Sequence, residues 1–222
     1  MHAIQSHILS RLIEQSPRRF SELKPQETES NLFMYHLGKL IQQGTIEKSE
    51  GIYTLTPAGK QLIDQLSSID LKPRIQPKVL TDIICRNEAG EWLLFQRSRE
   101  PFRGMIGFPS GKIHLGESML EAATRELQSQ TGYIATLLHY GNAYMTTYQN
   151  NVLNQHVLTH VFLGEITGGE KLEKNHLGHC FWAKLDQLDL HQPQYFPGLA
   201  VLVEEVNKAH TTQFFNEYTF NL

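Results

Sequence analysis

Between Gly111 and Gly132 the chain reads GKIHLGESMLEAATRELQSQTG, and no other stretch restricts the fold as much. Ser118 and Glu121 stand three residues apart. At that spacing a hydroxyl and a carboxylate can each satisfy a free backbone N–H at a helix start. Met119, Leu120, Ala123 and Leu127 recur at helical spacing and are expected to form the buried face. Glu121 and Arg125 pair at i, i+4 in the favourable order. Gly132 ends the helix, since glycine takes the left-handed conformation of a helix C-terminus without steric cost. Upstream, PFRGMIGFPSG supplies a glycine-bearing loop. The expectation is a loop running into a capped helix that carries Arg125 and Glu126.

The flanks read as strands. KVLTDIIC (78–85) and LLFQRS are separated by the turn-like NEAGEW, and HVLTHVFLGEI is a further β-rich run. The segment SSIDLKPRIQPK (67–78), with its prolines and serines, is expected to be a linker. The domains then are residues 1–70 and 76–222. Hydrophobic residues make up 40% and charged residues 19%, which excludes general disorder. Residues 1–70 hold 7 Lys/Arg and 8 Asp/Glu, and residues 71–222 hold 13 and 15, so neither part is a basic arm. Cys85 and Cys180 are the only cysteines, too few for a disulfide framework or a four-cysteine zinc site. The N-terminus does not read as a signal peptide, and the apolar runs are too short to span a membrane. A cytoplasmic protein without membrane contact is expected.

Residues 2–15 carry Ile4, Ile8, Leu9, Leu12 and Ile13 at helical spacing, and Pro17 blocks continuation. Phe20 and Leu23 suggest a short second helix. Residues 28–43 suggest a third, with Leu32, Phe33, Leu37, Leu40 and Ile41 inward and Gly44 as its cap. TIEKSEGIYTLT reads as a hairpin, and Pro57 opens another helix. This order, with LGKLIQQGTIEKSEGIYTLTPAG, resembles a winged helix-turn-helix domain. The resemblance implies duplex DNA as partner, with the third helix in the major groove. The candidate contacts are Gln26, Thr28, Ser30, Asn31, Tyr35 and Lys39, with Lys48 on the wing. Against this stand the net charge of −1 and the carboxylates Glu27 and Glu29 near the helix start. A protein-interaction or dimerisation module of the same fold is the competing reading. Two-fold readers of DNA imply a homodimer.

Gly111, Glu117, Arg125, Glu126, Leu127 and Gly132 fall in register with G-x5-E-x7-R-E-U-x-E-E-x-G-U, where U is bulky and apolar. The second segment therefore resembles the Nudix family over roughly residues 76–210. That implies an α/β fold: an N-terminal winged helix domain followed by an α/β/α sandwich with a mixed sheet. In that family the E-E pair ligates magnesium. Here Ser129 and Gln130 stand at those positions, which leaves Glu126 as the one charged ligand of three. His114 stands where the loop often carries glutamate. The resemblance implies a catalytic role for Glu126, structural roles for Gly111, Glu117, Arg125 and Gly132, and at most weak magnesium or manganese binding. Arg97, Arg99, Arg103 and Lys112 flank the motif and are candidates for ligand phosphates or a solvated rim. Phe102, Tyr144 and Tyr148 would stack on a base or simply pack. His156 and His160 lie in a strand-like run, where i and i+4 stand roughly 13 Å apart. His176, His179 and Cys180 make an incomplete zinc pattern. Cys85 is expected to be a buried hydrophobe.

Two functions follow. One is a ligand-responsive DNA-binding regulator, whose hydrolysis-impaired Nudix-like domain senses a nucleotide-linked metabolite. The other is a Nudix hydrolase of a nucleoside diphosphate derivative, with the winged domain used for assembly. The missing carboxylates favour the first.

Overall fold

Helix α1 (Ala3–Glu14) opens the chain in the computed structural model, capped by the His2 imidazole, which accepts from the Ile4 N–H. The structure describes residues 1–67, 70–172 and 174–221. Ser68 and Ile69, within the expected linker, lie outside the described residues, as do Glu173 and Leu222. Two compact units are present, Met1–Gln76 and Pro77–Leu222.

In the first unit α1 is followed by β1 (Arg18–Arg19), α2 (Phe20–Leu23), α3 (Ser30–Gln42), β2 (Ile46–Ser49), β3 (Ile52–Leu55) and α4 (Pro57–Asp64). The three strands pair antiparallel in the order β1-β3-β2. Ile8, Leu9, Leu12, Leu23, Phe33, Leu37, Leu40, Ile46 and Tyr53 form one core. α3 begins later than expected, at Ser30, because the Glu29 carboxylate caps it by accepting from the Asn31 N–H. Leu32 was expected inward but is 44% exposed, and His36 takes an inward position instead. Thr56 caps α4, accepting from the Gly59 N–H, with Pro57 in its first turn. Gly59 must be glycine, since a Cβ there would strike the Thr45 carbonyl.

The second unit contains β4 (Lys78–Cys85), β5 (Trp92–Arg97), β6 (Ile106–Gly107), β7 (Ser110–Lys112), α5 (Met119–Thr131), β8 (Tyr133–Gln149), β9 (Val152–Gly169), β10 (Gly178–Ala183), α6 (Gly198–Asn207) and β11 (Phe214–Asn221). A mixed five-stranded sheet has the order β11-β8-β9-β4-β7, and a three-stranded sheet the order β10-β5-β6. β4 runs parallel to β9 and β11 parallel to β8, while β8 and β9 form a long antiparallel hairpin. Side chains alternate along a strand. Ile83 and Cys85 thus pack with Ala123 and Leu127 of α5, while Ile84 packs with Leu199 and Leu202 of α6. The result is a mixed α/β fold with a helix on either face.

α5 has the expected capping box, with the Ser118 N–H and the Glu121 N–H both satisfied, and ends at Gly132 with φ +80°. Its inner face differs from the expectation. Ala122, Ala123, Leu127, Gln130 and Thr131 are buried, whereas Met119 and Leu120 are 41% and 51% exposed. Periodicity located the helix but set its buried stripe too far toward the N-terminus.

Among the described residues no helix is long and apolar enough to cross a membrane.

Candidate functional site

The expected motif folds around one arginine. Arg125 Nε and Nη2 donate to the two oxygens of Glu117 at 2.7 and 2.8 Å, a bidentate pair. Its Nη2 also donates to the Lys112 carbonyl at 3.0 Å, and its Nη1 to Glu126 Oε1 at 2.5 Å. Glu117 further accepts from the His114 N–H at 2.9 Å. Hydrogen bonds from Arg125 and then His114 hold the Glu117 carboxyl down at about 2. Arg125 therefore ties the loop, the end of β7 and α5 into one rigid piece. Gly111 has a packing reason to be glycine: a Cβ there would occupy the space of the Glu126 carboxylate.

Ser129 and Gln130 part company. Gln130 is buried and points with Glu126. Its Oε1 accepts from the Ser110 N–H at 3.2 Å, and its Nε2 donates to the Ser110 carbonyl at 2.8 Å and to Glu126 Oε2 at 2.7 Å. The carboxamide thus satisfies both backbone groups of Ser110 on edge strand β7. Ser129 is exposed, its hydroxyl turned back to the Glu126 carbonyl at 3.2 Å. It does not line the cleft described next, so the single face expected for residues 126, 129 and 130 is divided.

A cleft of about 450 Å³ opens beside this cluster. Gly111, Lys112, His114, Glu126 and Gln130 line one end, with Arg97 and Arg99 beside them. Leu80, Phe108, Met145, Val157, Leu199 and Leu202 supply apolar lining, with Asp82, Thr147 and Gln155 among the polar residues. Of the four flanking cations, Arg97, Arg99 and Lys112 reach the cleft and Arg103 is not among its lining residues. Phe102 lines the mouth, edge-on to Phe196 at 5.5 Å, while Tyr144 and Tyr148 are not in the lining. The volume suits a nucleotide-sized ligand.

One acidic residue lining the cleft, Asp82, lies outside the Gly111–Gly132 motif. Asp82 of β4 shares the cleft-side face with Lys78 and Leu80. The Thr159 hydroxyl donates to its Oδ2 at 2.7 Å, and the Ser110 hydroxyl also bonds it. Burial pushes the Asp82 carboxyl up to about 6, against the opposing effect of these two hydroxyls. A charged residue inside an otherwise apolar strand was the available signal.

The remaining candidates separate. Among the described residues no group of three or more His, Cys, Asp or Glu is arranged to hold a metal ion. His156 and His160 lie on β9; His156 packs near the Tyr144 ring at 4.8 Å and His160 near His139 at 5.7 Å. Cys180 is buried, its thiol facing the Thr131 carbonyl, and Cys85 is fully buried, as expected for a small hydrophobe. The donor set at α5 does not fit a resident magnesium. It offers one carboxylate, already hydrogen-bonded at both oxygens, and an amide nitrogen where a second carboxylate would stand. It fits only a cation that arrives with phosphate oxygens, since magnesium can be held by one carboxylate, phosphates and water.

In the first unit Ser30, Asn31, Tyr35 and Lys39 are exposed on α3, and Lys48 is exposed on β2. Thr28 is half-buried and precedes the helix. Lys39 lies over the Tyr35 ring at 5.7 Å.

The second unit matches the NUDIX domain family over residues 77–206. An ADP-ribose pyrophosphatase of Methanocaldococcus jannaschii is 30% identical over 96 residues, 43% of this chain and 55% of that protein. A putative 8-oxo-dGTP diphosphatase of Bacillus subtilis is 36% identical over 90 residues, 40% of this chain and 54% of that protein. The chain thus spans about half the length of these two relatives. An 8-oxo-dGTP diphosphatase of Haemophilus influenzae is 29% identical over 130 residues, 57% of this chain and 90% of that protein. A NUDIX hydrolase structure from Nitrosomonas europaea superposes with a TM-score of 0.50 at 19% identity, covering 60% of this chain and 90% of its own. At that identity the likeness concerns the fold alone. With the Gly111–Gly132 motif, its arginine-centred cluster and more than half of the chain matched by the family, the chain belongs to the NUDIX family.

Proposed function

We propose that the second unit binds a nucleoside diphosphate derivative in its cleft and hydrolyses the phosphoanhydride slowly. The carrying observation is the rigid Glu117–Arg125–Glu126 cluster at one end of the cleft, beside Arg97, Arg99 and Lys112. The matched relatives are a pyrophosphatase and diphosphatases, which moves the balance from the regulator toward the hydrolase. Arg97, Arg99 and Lys112 would hold the diphosphate by charge-assisted hydrogen bonds. Glu126, with the diphosphate oxygens, would hold a magnesium or manganese ion that neutralises charge on the phosphoanhydride. Arg125 keeps Glu126 in place, and Gly111 leaves room for its carboxylate.

ADP-ribose and 8-oxo-dGTP, each incubated with magnesium or manganese, provide the test. Turnover is expected well below the roughly 1–1000 per second of ordinary enzymes. Glu126→Gln should abolish it. Binding of either nucleotide with no turnover above blank would overturn the hydrolase reading.

The order α1-β1-α2-α3-β2-β3-α4 and the antiparallel β2–β3 pair support a second reading, for the first unit: a winged helix-turn-helix that binds duplex DNA or assembles the protein as a homodimer. The exposed Ser30, Asn31, Tyr35, Lys39 and Lys48, together with Thr28, are the residues that would meet DNA. With two lysines among them, log K should fall only gently with log salt, at most about two phosphates' worth. Lys39→Ala and Lys48→Ala should each weaken binding. Absence of binding to mixed genomic fragments at low salt would leave assembly as this unit's role.

A further inference from the structure

Two polar side chains on neighbouring strands line the cleft, Ser110 on β7 and Asp82 on β4, and the fully buried Thr159 on β9, outside the lining, donates to Asp82. Leu80, Phe108, Met145 and Val157 line the same cleft, and Leu199 and Leu202 of α6 add to its apolar lining. The phosphate end, with Arg97, Arg99, Lys112 and Glu126, leaves this interior for the rest of a nucleotide.

An ionised carboxylate accepts hydrogen bonds at about four lone-pair sites and donates none. At Asp82 two hydroxyls, Thr159 and Ser110, already donate. Both are held by the sheet, so the remaining acceptor sites are fixed in direction. Asp82 is half-buried, so a ligand ring that covers it must supply N–H donors or strip the carboxylate of water without replacement, and a polar group left unpaired in that way is costly.

We propose that Asp82 selects the base, accepting hydrogen bonds from a guanine-type ring, whose N1–H and exocyclic amine present two adjacent donors. This rests on the nucleotide-binding reading above. An adenine ring turns an amine and an unprotonated ring nitrogen to the same place, and the nitrogen lone pair opposes the carboxylate. Sites built to pair with a ligand's N–H or O–H discriminate strongly against analogues that lack it, because the site's own polar groups are then left unpaired. The Watson–Crick edge is the edge that enzymes read on a base withdrawn from a stack. Asp82 is thus a specificity-determining residue rather than part of the phosphate chemistry.

The test is calorimetric binding of GDP and ADP to the full chain, with no divalent metal, for the parent and for Asp82→Asn. The parent should bind GDP about tenfold or more tightly over ADP, the worth of one well-made base edge. Asparagine offers one acceptor and one donor, the pattern that suits adenine. The variant should therefore lose the GDP preference or reverse it, while its ADP binding persists and reports an intact cleft. Equal affinities in the parent, or a GDP preference that survives in Asp82→Asn, would overturn the assignment and leave the nucleotide-binding reading standing. Binding of neither nucleotide to the parent, in this metal-free titration and in a second one with magnesium, would overturn both.

Discussion

Glu205→Ala is expected to destabilise the second unit by about 2–4 kcal/mol, the cost of dismantling a buried, hydrogen-bonded carboxylate. Glu205 sits in α6 and is 2% exposed. Its Oε1 accepts from Lys208 Nζ at 2.6 Å and from the Tyr218 hydroxyl at 2.8 Å, and its Oε2 meets His210 Nε2 at 2.6 Å. The Tyr140 hydroxyl donates to its backbone carbonyl at 3.0 Å and accepts from the His210 N–H at 3.0 Å. The side chain thus ties α6 to β11 and to the segment between them, while the backbone carbonyl makes the link to β8; Leu199 and Leu202 of the same helix line the cleft. The melting temperature should drop by roughly 4–16 °C, taking 2–4 °C per kcal/mol for a chain of this size.

The same cluster predicts a pH dependence. Burial alone would push the Glu205 carboxyl up, but Lys208, Tyr218 and His210 outweigh it and hold it at about 2. A folded-state value below the unfolded value of about 4.5 means stability that is present above that value. It is lost as pH falls from about 4.5 through about 2. Glu205→Gln should flatten the melting curve over that window. An unchanged acid limb in Glu205→Gln would assign the acid loss to other carboxylates, Glu117 first among them.

How much of this was legible depends on the sequence distance of the partners. The α5 cap, the α5 stop at Gly132 and the Pro57 start of α4 were readable because each is set by residues within a turn of one another. Gly111, Glu117, Arg125 and Glu126 were readable as a group because their spacing matches a known pattern. Which side of α5 is buried was not, because Met119 and Leu120 lie on the apolar stripe yet remain 41% and 51% exposed. The order of the five-stranded sheet and the length of the β8–β9 hairpin were also hidden, since pairing is decided by contacts far apart in the chain. Asp82 and Thr159 are 77 residues apart, and Tyr140 and Glu205 are 65 apart. No local pattern links such partners.

Gln130→Glu is expected to have the other large effect, and the geometry separates it from Ser129→Glu. Glutamate at 130 keeps the acceptor that meets the Ser110 N–H. It turns two donated hydrogen bonds into repulsions, one against the Ser110 carbonyl and one against Glu126 Oε2. Position 130 is buried, so neither repulsion is screened by water. Without metal the variant should lose about 2–4 kcal/mol. Magnesium should restore that loss by binding the folded state, because two adjacent carboxylates and water are a ligand set it accepts. Manganese should act at lower concentration. Ser129→Glu alone should change little, since its side chain points to solvent and does not line the cleft. In the double variant it should add to metal affinity only if its longer side chain reaches back toward Glu126. Calorimetric titration of the parent and each variant with magnesium decides the matter. If the parent binds magnesium as tightly as Gln130→Glu, the carboxamide at position 130 did not disable the site. The metal would then be held by residues other than the face of α5.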